Sequence, residues 1–357
     1  MVLHIPTKGR GELRIIEYSP EWFDALTHAV KPKRPESALL HRPFVDHYYA
    51  SQEWCRLLLA LDNNDNVVGT LGVDRMRFES ESGEMTLGFG SNYNSFVPGV
   101  GSFLFLRRLK DCPLGLVFWT TEDTQKVIRS LGWTYFSGVR RHYLNYAYPT
   151  FPREPMWRKA AKGILRLFPR KKIGSYESRL QDASGSGVSV HPENSFSTDL
   201  IPQNSPFAFR FAPNLAYLNW RYNTELSYVR YRLFRILVRG TTVGYVVINE
   251  KPDSLVVAQC DGADPVTLAY GVLSSIVEVG KHDRNPRSVM LTSSHPRMQE
   301  IYKKFGFRAS SSDEHFAVGG YKQIVTLDPD TSAWLINFDW GNNELQTPFL
   351  NQVSDDV

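Results

Sequence analysis

Short runs of apolar residues, alternating with polar ones and separated by turn residues, follow one another along the chain and predict a strand-rich α/β protein. The first half begins with two strands around an Asn/Asp turn, the pattern of a hairpin. A third strand, a helix, a strand, a second helix and a last strand come next. These elements are predicted at 56–78 (the hairpin), 84–92, 100–109, 115–121, 122–132 and 142–148.

The second half shows nearly the same order of elements, which indicates an internal duplication. A hairpin, a strand, a helix, a strand and a helix are predicted at 230–248, 254–261, 265–280, 288–294 and 295–306. Three pairs of similar segments lie 173 to 175 residues apart: 43–49 with 216–222, 67–73 with 242–248, and 128–133 with 302–307. We predict two tandem copies, each a mixed α/β sheet.

The segments between and after the copies set the expected domain boundaries. We expect a first copy at 1–150, a basic helix and linker at 151–195, a second copy at 196–330 and a tail at 331–357. Segment 153–172 holds eight Lys/Arg against one Glu, with apolar residues at helical spacing. It fits either a connector that lays its apolar stripe on a neighbouring domain or a helix that contacts an anionic membrane surface.

Composition narrows the class of protein. The 357-residue chain is 42% hydrophobic and carries a net charge of +4, which is globular and too weakly basic for a nucleic-acid binder. Three widely spaced cysteines support neither a disulfide framework nor a zinc site, and no metal is expected. No apolar run is long enough to cross a membrane and no secretory signal is recognised, so we expect a cytoplasmic protein.

A glycine pair in 94–109 marks the start of the first long helix. Gly99 and Gly101 leave backbone N–H groups uncovered just before an apolar helical pattern begins. The segment is either an ordinary turn or an anion site, because the N-terminus of a helix carries partial positive charge and free N–H donors. A side chain at either glycine would obstruct the approach of a phosphate.

This element order, with a glycine loop opening a helix, resembles the GNAT superfamily of acyl-coenzyme A N-acyltransferases. The family's pyrophosphate loop, Q/R-x-x-G-x-G/A, matches segment 96–101 in both glycines but not in the leading polar residue. The resemblance implies acyl-coenzyme A as co-substrate, bound by Phe96, Val97, Gly99, Val100, Gly101, Ser102, Phe103, Thr121 and Thr124. The corresponding loop of the second copy has one glycine beside Asp261 and Asp264, so only the first copy is expected to bind it.

The resemblance also implies where the chemistry takes place. The pantetheine arm would lie between the strand that ends in 90–97 and the strand 115–121, with Asn92, Asn94 and Ser95 where the acyl group and the amine meet. Asp46 and His47 are the preferred candidates for the base, ahead of Asp74 and Glu84. The tyrosine that serves the family as acid is replaced by Ile128 in the first copy, whereas the second copy has Tyr302 at that position.

Aromatic and basic residues indicate an acceptor surface or the packed boundary between the copies. Arginine pairs with a diphosphate and rings stack on sugars or bases, so the expected substrate-binding residues are Tyr49, Trp220, Arg221 and Tyr222. The preferred acceptor is an amino sugar, with a nucleotide-linked amino sugar as the favoured form. The alternatives are a peptide, a protein amine or another small amine, and a non-catalytic binding protein. The oligomeric state stays open.

Overall fold

The structure is a computed structural model that describes residues 5–7, 10–50, 53–118, 122–145, 156–157, 160, 171–178, 180, 187–203, 206–310, 316–320, 327–328 and 330–337. The strands in these ranges are β1 (Ile5–Thr7), β2 (Arg10–Glu17), β3 (Cys55–Leu61), β4 (Val67–Ser80), β5 (Gly83–Ser95), β6 (Leu114–Phe118), β7 (Thr134–Phe136), β8 (Arg140–Leu144), β9 (Val188–Glu193), β10 (Phe209–Phe211), β11 (Tyr231–Val238), β12 (Thr241–Glu250), β13 (Ser254–Gly262), β14 (Ser288–Ser293), β15 (Arg308–Ala309), β16 (Phe316–Gly320) and β17 (Trp334–Leu335).

The strands form two mixed sheets. Sheet 1 has the order β1-β2-β3-β4-β5-β6-β16-β7, with β10 paired to β4 and β17 paired to β10. Sheet 2 has the order β15-β8-β14-β13-β12-β11-β9. Each sheet combines antiparallel hairpins with a parallel step, β5 to β6 in sheet 1 and β13 to β14 in sheet 2. In sheet 1 the short strands β10 and β17 are also parallel. The predicted mixed α/β fold with two similar sheets is confirmed.

Helices of moderate length cover the sheets. They are α1 (Phe23–Val30), α2 (Arg42–Tyr49), α3 (Val100–Asp111), α4 (Glu122–Ser130), α5 (Leu215–Arg221), α6 (Pro265–Gly280) and α7 (Pro296–Phe305). Helix α3 begins at the predicted residue and buries Val100, Leu104, Phe105 and Leu109 on one face. Among the described residues no helix combines the length and the apolar character that crossing a bilayer requires.

Each sheet contains a strand from the other half of the chain. Strand β8, predicted within 142–148 as the last strand of the first copy, pairs instead with β14 and β15 in sheet 2. Strand β16 lies between β6 and β7 in sheet 1. The placement of β8 in the first copy was therefore wrong. Alternation along a strand specifies which face is buried, and it does not specify the neighbouring strand.

Side chains from both halves share one apolar cluster at the boundary between the sheets. Helix α2 and strand β3 contribute to it from the first half, and α5, β11 and β12 contribute from the second. Of the basic segment 153–172, only residues 156, 157, 160, 171 and 172 are described, and Met156 and Trp157 are exposed. Both interpretations of that segment stay predictions.

Candidate active site

The parallel strands β5 and β6 separate at their carboxyl ends. They pair only at Gly88 with Gly115 and at Phe89 with Leu116, although β5 continues to Ser95 and β6 to Phe118. Beyond these pairs the facing edges of the two strands diverge, which leaves a V-shaped opening in sheet 1. The pantetheine arm was expected between these same two strands, and that placement stays a prediction.

A β-bulge lies on β5 beside the opening. The register between β4 and β5 shifts between Thr70 and Gly72, which pair with Asn94 and Ser91. Asn92, inside the bulge, has a left-handed φ of 46°. A bulge turns backbone groups away from the ladder and often lies next to an active site. The Asn92 carbonyl accepts hydrogen bonds from Thr70 Oγ1 at 2.7 Å and Asn94 Nδ2 at 3.1 Å, which hold the bulge in place.

The glycine loop leads directly into α3. Gly99 is the N-cap residue with φ 88°, and the first turn of the helix contains no acidic residue. The first four N–H groups of a helix have no acceptor within it. Here the Val100 N–H donates to the Val97 carbonyl at 3.3 Å and the Gly101 N–H donates to Ser95 Oγ at 3.1 Å. The four amides that precede the first bond within the helix are those of residues 99–102, and those of Gly99 and Ser102 have no acceptor among the described residues, so they are left for an external anion.

Gly101 lies under the ring of Tyr93. A Cβ atom at Gly101 would lie 2.5 Å from Tyr93 Oη and 3.4 Å from Ser95 Cβ. The Tyr93 side chain is 40% exposed, so it forms a partly movable cover over the helix start. Of the other expected cofactor residues, Phe96 and Val97 pack against apolar clusters and Val100 is buried.

The rest of the expected cofactor set lies on and before α4. Thr124 is half-buried in the first turn of that helix. Thr121 lies outside the described residues.

Tyr49 joins α2 to the bulge. Its hydroxyl accepts a hydrogen bond from Asn92 Nδ2 at 2.7 Å and lies 3.3 Å from Ser91 Oγ. Gly72 makes room for this cluster, because a Cβ there would lie 2.3 Å from Ser91 Oγ and 2.8 Å from Tyr49 Oη. Burial, and the nearby Asp74 carboxylate, raise the pKa of Tyr49 well above 10. The phenol is therefore neutral and orients Asn92.

The base candidates lie apart from the bulge. Asp46 accepts a hydrogen bond from Tyr18 Oη at 2.5 Å. The His47 ring stacks on Trp220 with centroids 5.8 Å apart, and burial lowers its pKa. The structure thus brings Tyr49, rather than Asp46 or His47, into contact with Asn92.

The two other carboxylates differ in environment. Asp74 is buried beside Cys55, and burial, followed by the charge of Asp74, raises the pKa of the Cys55 thiol. Glu84 is paired with Arg77 at the exposed far end of the β4–β5 hairpin.

The expected acceptor residues lie at the boundary between the two halves. Trp220 contacts the rings of Tyr48 and Trp54 as well as His47. The Arg221 guanidinium lies 4.5 Å from the centre of the Tyr48 ring, and both Arg221 and Tyr222 are buried. Only the Trp220 end of this group is partly exposed and next to α2.

In the second half, side chains of the chain itself fill the corresponding opening of sheet 2. Strands β13 and β14 also stop pairing early, after Val256 and Met290. Into this opening Asn337 donates to the Cys260 carbonyl at 2.6 Å. Ile336 and Ser294 exchange hydrogen bonds at 2.9 and 3.0 Å. Asp264 caps α6 by accepting from two first-turn amides, so this helix start already holds a carboxylate.

Sequence reasoning missed several residues of the first opening. Thr70, Ser91 and Tyr93 were not selected, although the polar run in 91–95 was the signal that could have found two of them. Arg108 of α3 was also missed, and it lies buried against the last β5–β6 pairs. Its helical spacing from Leu104 and Phe105 placed it on the apolar face.

No family model and no curated protein matches this chain. Similar solved structures include a GCN5-related N-acetyltransferase from Anabaena variabilis, with 11% identity, coverage of 86% of this chain and 72% of that one, and TM-score 0.52. Saccharomyces cerevisiae N-myristoyltransferase with bound myristoyl-CoA covers 90% and 85% at 6% identity and TM-score 0.56. A fungal GCN5-related glucosamine N-acetyltransferase region covers 88% and 39% at 10% identity and TM-score 0.53. At these identities the matches establish a GNAT-type fold.

Proposed function

We propose that the protein is an acyl-coenzyme A-dependent N-acyltransferase whose coenzyme site is in the first half of the chain. The observation that carries this proposal is the V-shaped opening between β5 and β6, with the bulge at Asn92 on one side and the start of α3 at its mouth. The N-acetyltransferase names among proteins with this fold support it, and the fold of N-myristoyltransferase was seen with an acyl-CoA bound.

The residues present suit such a co-substrate. The N-terminus of α3 offers its dipole and the amides of Gly99 and Ser102 to a pyrophosphate. The unpaired strand edges offer backbone groups to the amides of a pantetheine arm. We propose that Asn92, held by Tyr49, faces the thioester at the point where the amine attacks.

The chemistry needs little covalent assistance from the protein. The amine nitrogen forms a bond to the thioester carbonyl carbon, the carbon–sulfur bond breaks, and coenzyme A leaves as thiolate. The proton lost by the amine passes to water, and the thiolate takes one from water. Ile128, at the position of the family's tyrosine acid, is fully buried and cannot donate a proton. A free thiol has a pKa of about 8.5, so the thiolate is a competent leaving group without an acid.

For the acceptor we propose an amino sugar, with a nucleotide-linked sugar as the preferred form. Trp220 and His47 form a stacked, partly exposed pair beside α2, and aromatic faces of this kind bind sugar rings. The similar fungal structure is named as a glucosamine N-acetyltransferase region, which also favours this class.

Calorimetric titration with coenzyme A and acetyl-CoA tests the coenzyme site. We expect binding to the intact protein and a loss of at least about tenfold in affinity for Gly101→Leu, because the added side chain would fill the approach to the first-turn amides. Leu106→Ala, on the exposed side of the same helix, is the control and should bind normally. Absence of binding to the intact protein would remove the enzyme proposal.

Release of free thiol in the presence of candidate amines tests the acceptor. Amino sugars and nucleotide amino sugars should support release, and Trp220→Ala should raise KM more than it lowers kcat. Turnover of a peptide together with silence across the sugars would replace the amino sugar by a peptide amine.

A further inference from the structure

An arginine without a carboxylate partner is buried at the point where β5 and β6 meet. The Arg108 side chain is fully buried, and its Nη2 donates to the carbonyls of Gly88 and of Leu116, the latter at 3.2 Å. Its Nε and Nη1 have no acceptor among the described residues. Two nitrogens of a buried cation, which carry three N–H groups between them, thus lack an acceptor at the apex of the V-shaped opening.

Among the described residues, the surroundings of Arg108 add a hydrogen-bond donor and supply no negative charge. The rings of Phe105 and Trp133 lie 5.4 and 5.5 Å from its Cζ atom, and the Trp133 indole N–H also lacks an acceptor in the described structure. The neighbouring Cys112 thiol is neutral, because burial raises its pKa. Burial lowers the pKa of Arg108 to about 10, so the guanidinium is charged at neutral pH. A buried charge without a partner is strongly unfavourable.

The sequence makes room for this group with three glycines on neighbouring strands. Gly88, Gly115 and Gly319 are in register on β5, β6 and β16. A Cβ at Gly115 would lie 2.5 Å from Arg108 Nη1 and 2.2 Å from Trp133, and a Cβ at Gly319 would lie 2.4 Å from Trp133. Any other residue at Gly115 or Gly319 would displace the guanidinium or the indole ring.

The same face of β5 is open one step closer to the bulge. A Cβ at Gly90 would meet only Leu71, at 3.6 Å, and Gly90 is partly exposed. Two residues of extended strand cover about 7 Å. This is the distance along β5 from Gly90 to Gly88. A ligand chain of three carbon–carbon bonds of about 1.5 Å each, followed by an N–H···O hydrogen bond of about 2.9 Å, has a similar length.

We propose that the acyl group carried by this enzyme lies over Gly90 and ends in a carboxylate, which is bound at the apex by Arg108 Nε and Nη1 with the Trp133 indole N–H. This inference rests on the proposed function and specifies its acyl donor. A purely apolar acyl chain would leave the buried guanidinium unpaired, whereas a carboxylate gives it charge-assisted hydrogen bonds. The transferred group is then a dicarboxylic acid joined through one carboxyl to the amine.

Calorimetric titration with acyl-CoA thioesters tests the inference without knowledge of the acceptor. The series is acetyl-, butyryl-, malonyl-, succinyl- and glutaryl-CoA, with free coenzyme A as reference. We expect the best acidic thioester to bind at least about tenfold tighter than butyryl-CoA, as one or more hydrogen bonds to a charged group would provide. Arg108→Met should abolish that difference and leave the affinity for free coenzyme A within about twofold.

Two further variants keep the test decisive. Arg107→Met, at a partly buried arginine beside Arg108 that is paired with Asp111, is the matched control and should keep the acidic preference. Trp133→Phe retains an aromatic ring and removes the indole N–H donor. It should therefore reduce the preference for acidic thioesters, and it gives a result even if Arg108→Met fails to fold. Equal binding of butyryl and acidic thioesters, with free coenzyme A still bound, would overturn the carboxylate inference alone. Failure of every thioester and of coenzyme A to bind would remove the proposed function itself.

Discussion

At the scale of single residues, two glycines on neighbouring strands of sheet 1 differ in the space above them. Gly115 lies under Arg108 and Trp133, whereas Gly90 on the neighbouring strand has only Leu71 nearby. Both positions lack a side chain, but only the first is closed by packing. The same substitution should therefore have different consequences at the two sites.

We expect Gly115→Ala to destabilise the fold and Gly90→Ala to leave its stability nearly unchanged. The Gly115 methyl would overlap two buried side chains, and overpacking of a core costs about 1–3 kcal/mol. The Gly90 methyl fits beside Leu71 at van der Waals distance but narrows the opening. Urea denaturation measures the stabilities, and titration with acyl-CoA should show weaker binding for Gly90→Ala. Equal stability of the two variants would contradict this account of the packing.

Part of the candidate site could be predicted from the sequence at this scale. The glycines at 99 and 101 and the polar residues of 92–95 were recognised from their position before a helix. The contact between Tyr49 and Asn92 could not be found this way, because it joins residues 43 positions apart. The burial of Arg108 was signalled only by its helical spacing, and a charged residue is expected at the surface unless its environment is known.

At the scale of elements, segment 334–337 acts as a plug in the opening of sheet 2. Asn337 is buried, and its Nδ2 contacts both the carbonyl and the Sγ atom of Cys260, at 2.6 and 2.9 Å. Ile336 completes the contact with the end of β14 through Ser294. These contacts satisfy backbone groups at the ends of β13 and β14 that would have no partner if the opening were empty.

Asn337→Ala should destabilise the protein without creating a second coenzyme site. Removal of the side chain leaves the buried Cys260 carbonyl without its partner, a cost of about 1–3 kcal/mol. The exposed Asn63→Ala serves as control and should change stability by less than about 0.5 kcal/mol. Chemical denaturation gives the stabilities, and calorimetry gives the number of coenzyme A sites. A second coenzyme A site in Asn337→Ala would show that segment 334–337 excludes the coenzyme by itself. The Asp264 cap of α6 would then not be needed for the exclusion.

The order of elements was largely predictable, because turn residues and periodicity are local signals. The hairpins, the start of α3 and the helices α6 and α7 were all located from such signals. The pairing of β8 with β14 could not be predicted, since it depends on contacts between residues far apart in the chain.

At the scale of the whole molecule, a charged cluster joins the two sheets. Arg210 on β10 pairs with Asp261 of β13 and with Glu79 of β4, the latter at 2.7 Å. These residues and Tyr245 line a cavity of about 210 Å³. Burial raises the pKa of Asp261 to about 7, against the opposing effect of Arg210. The stability of the boundary should therefore depend on pH.

We expect the free energy of unfolding to fall between about pH 4 and pH 7 because of Asp261. Its pKa is higher in the folded protein than the value of about 3.9 expected after unfolding, so the folded state holds the extra proton in this range. The contribution is complete below the unfolded pKa and is lost as pH rises through the folded one. Denaturation of the intact protein and Asp261→Asn across this range isolates the slope. A slope unchanged by the substitution would contradict the shift.

The exchange of β8 and β16 should make the two halves unfold together. Sheet 1 without β16 loses the strand that joins β6 to β7, and sheet 2 without β8 loses the strand that joins β14 to β15. Neither half can then form a complete sheet by itself. The apolar cluster at the boundary also needs side chains from both halves of the chain. We therefore expect one cooperative transition in calorimetry of the intact chain, although chains of this size often show more than one.

Fragments give the sharper form of the same prediction. Residues 1–150 alone should lack a cooperative melting transition and native near-ultraviolet circular dichroism, because β16 is missing from the sheet that carries the candidate site. Co-expression with 151–357 should restore both signals, since the exchanged strands are then available in trans. A fragment 1–150 that melts sharply by itself and binds coenzyme A would show that β16 is dispensable and that the halves are independent domains. We expect the opposite result, because the candidate site of the first half lies on a sheet that includes β16 from the second half.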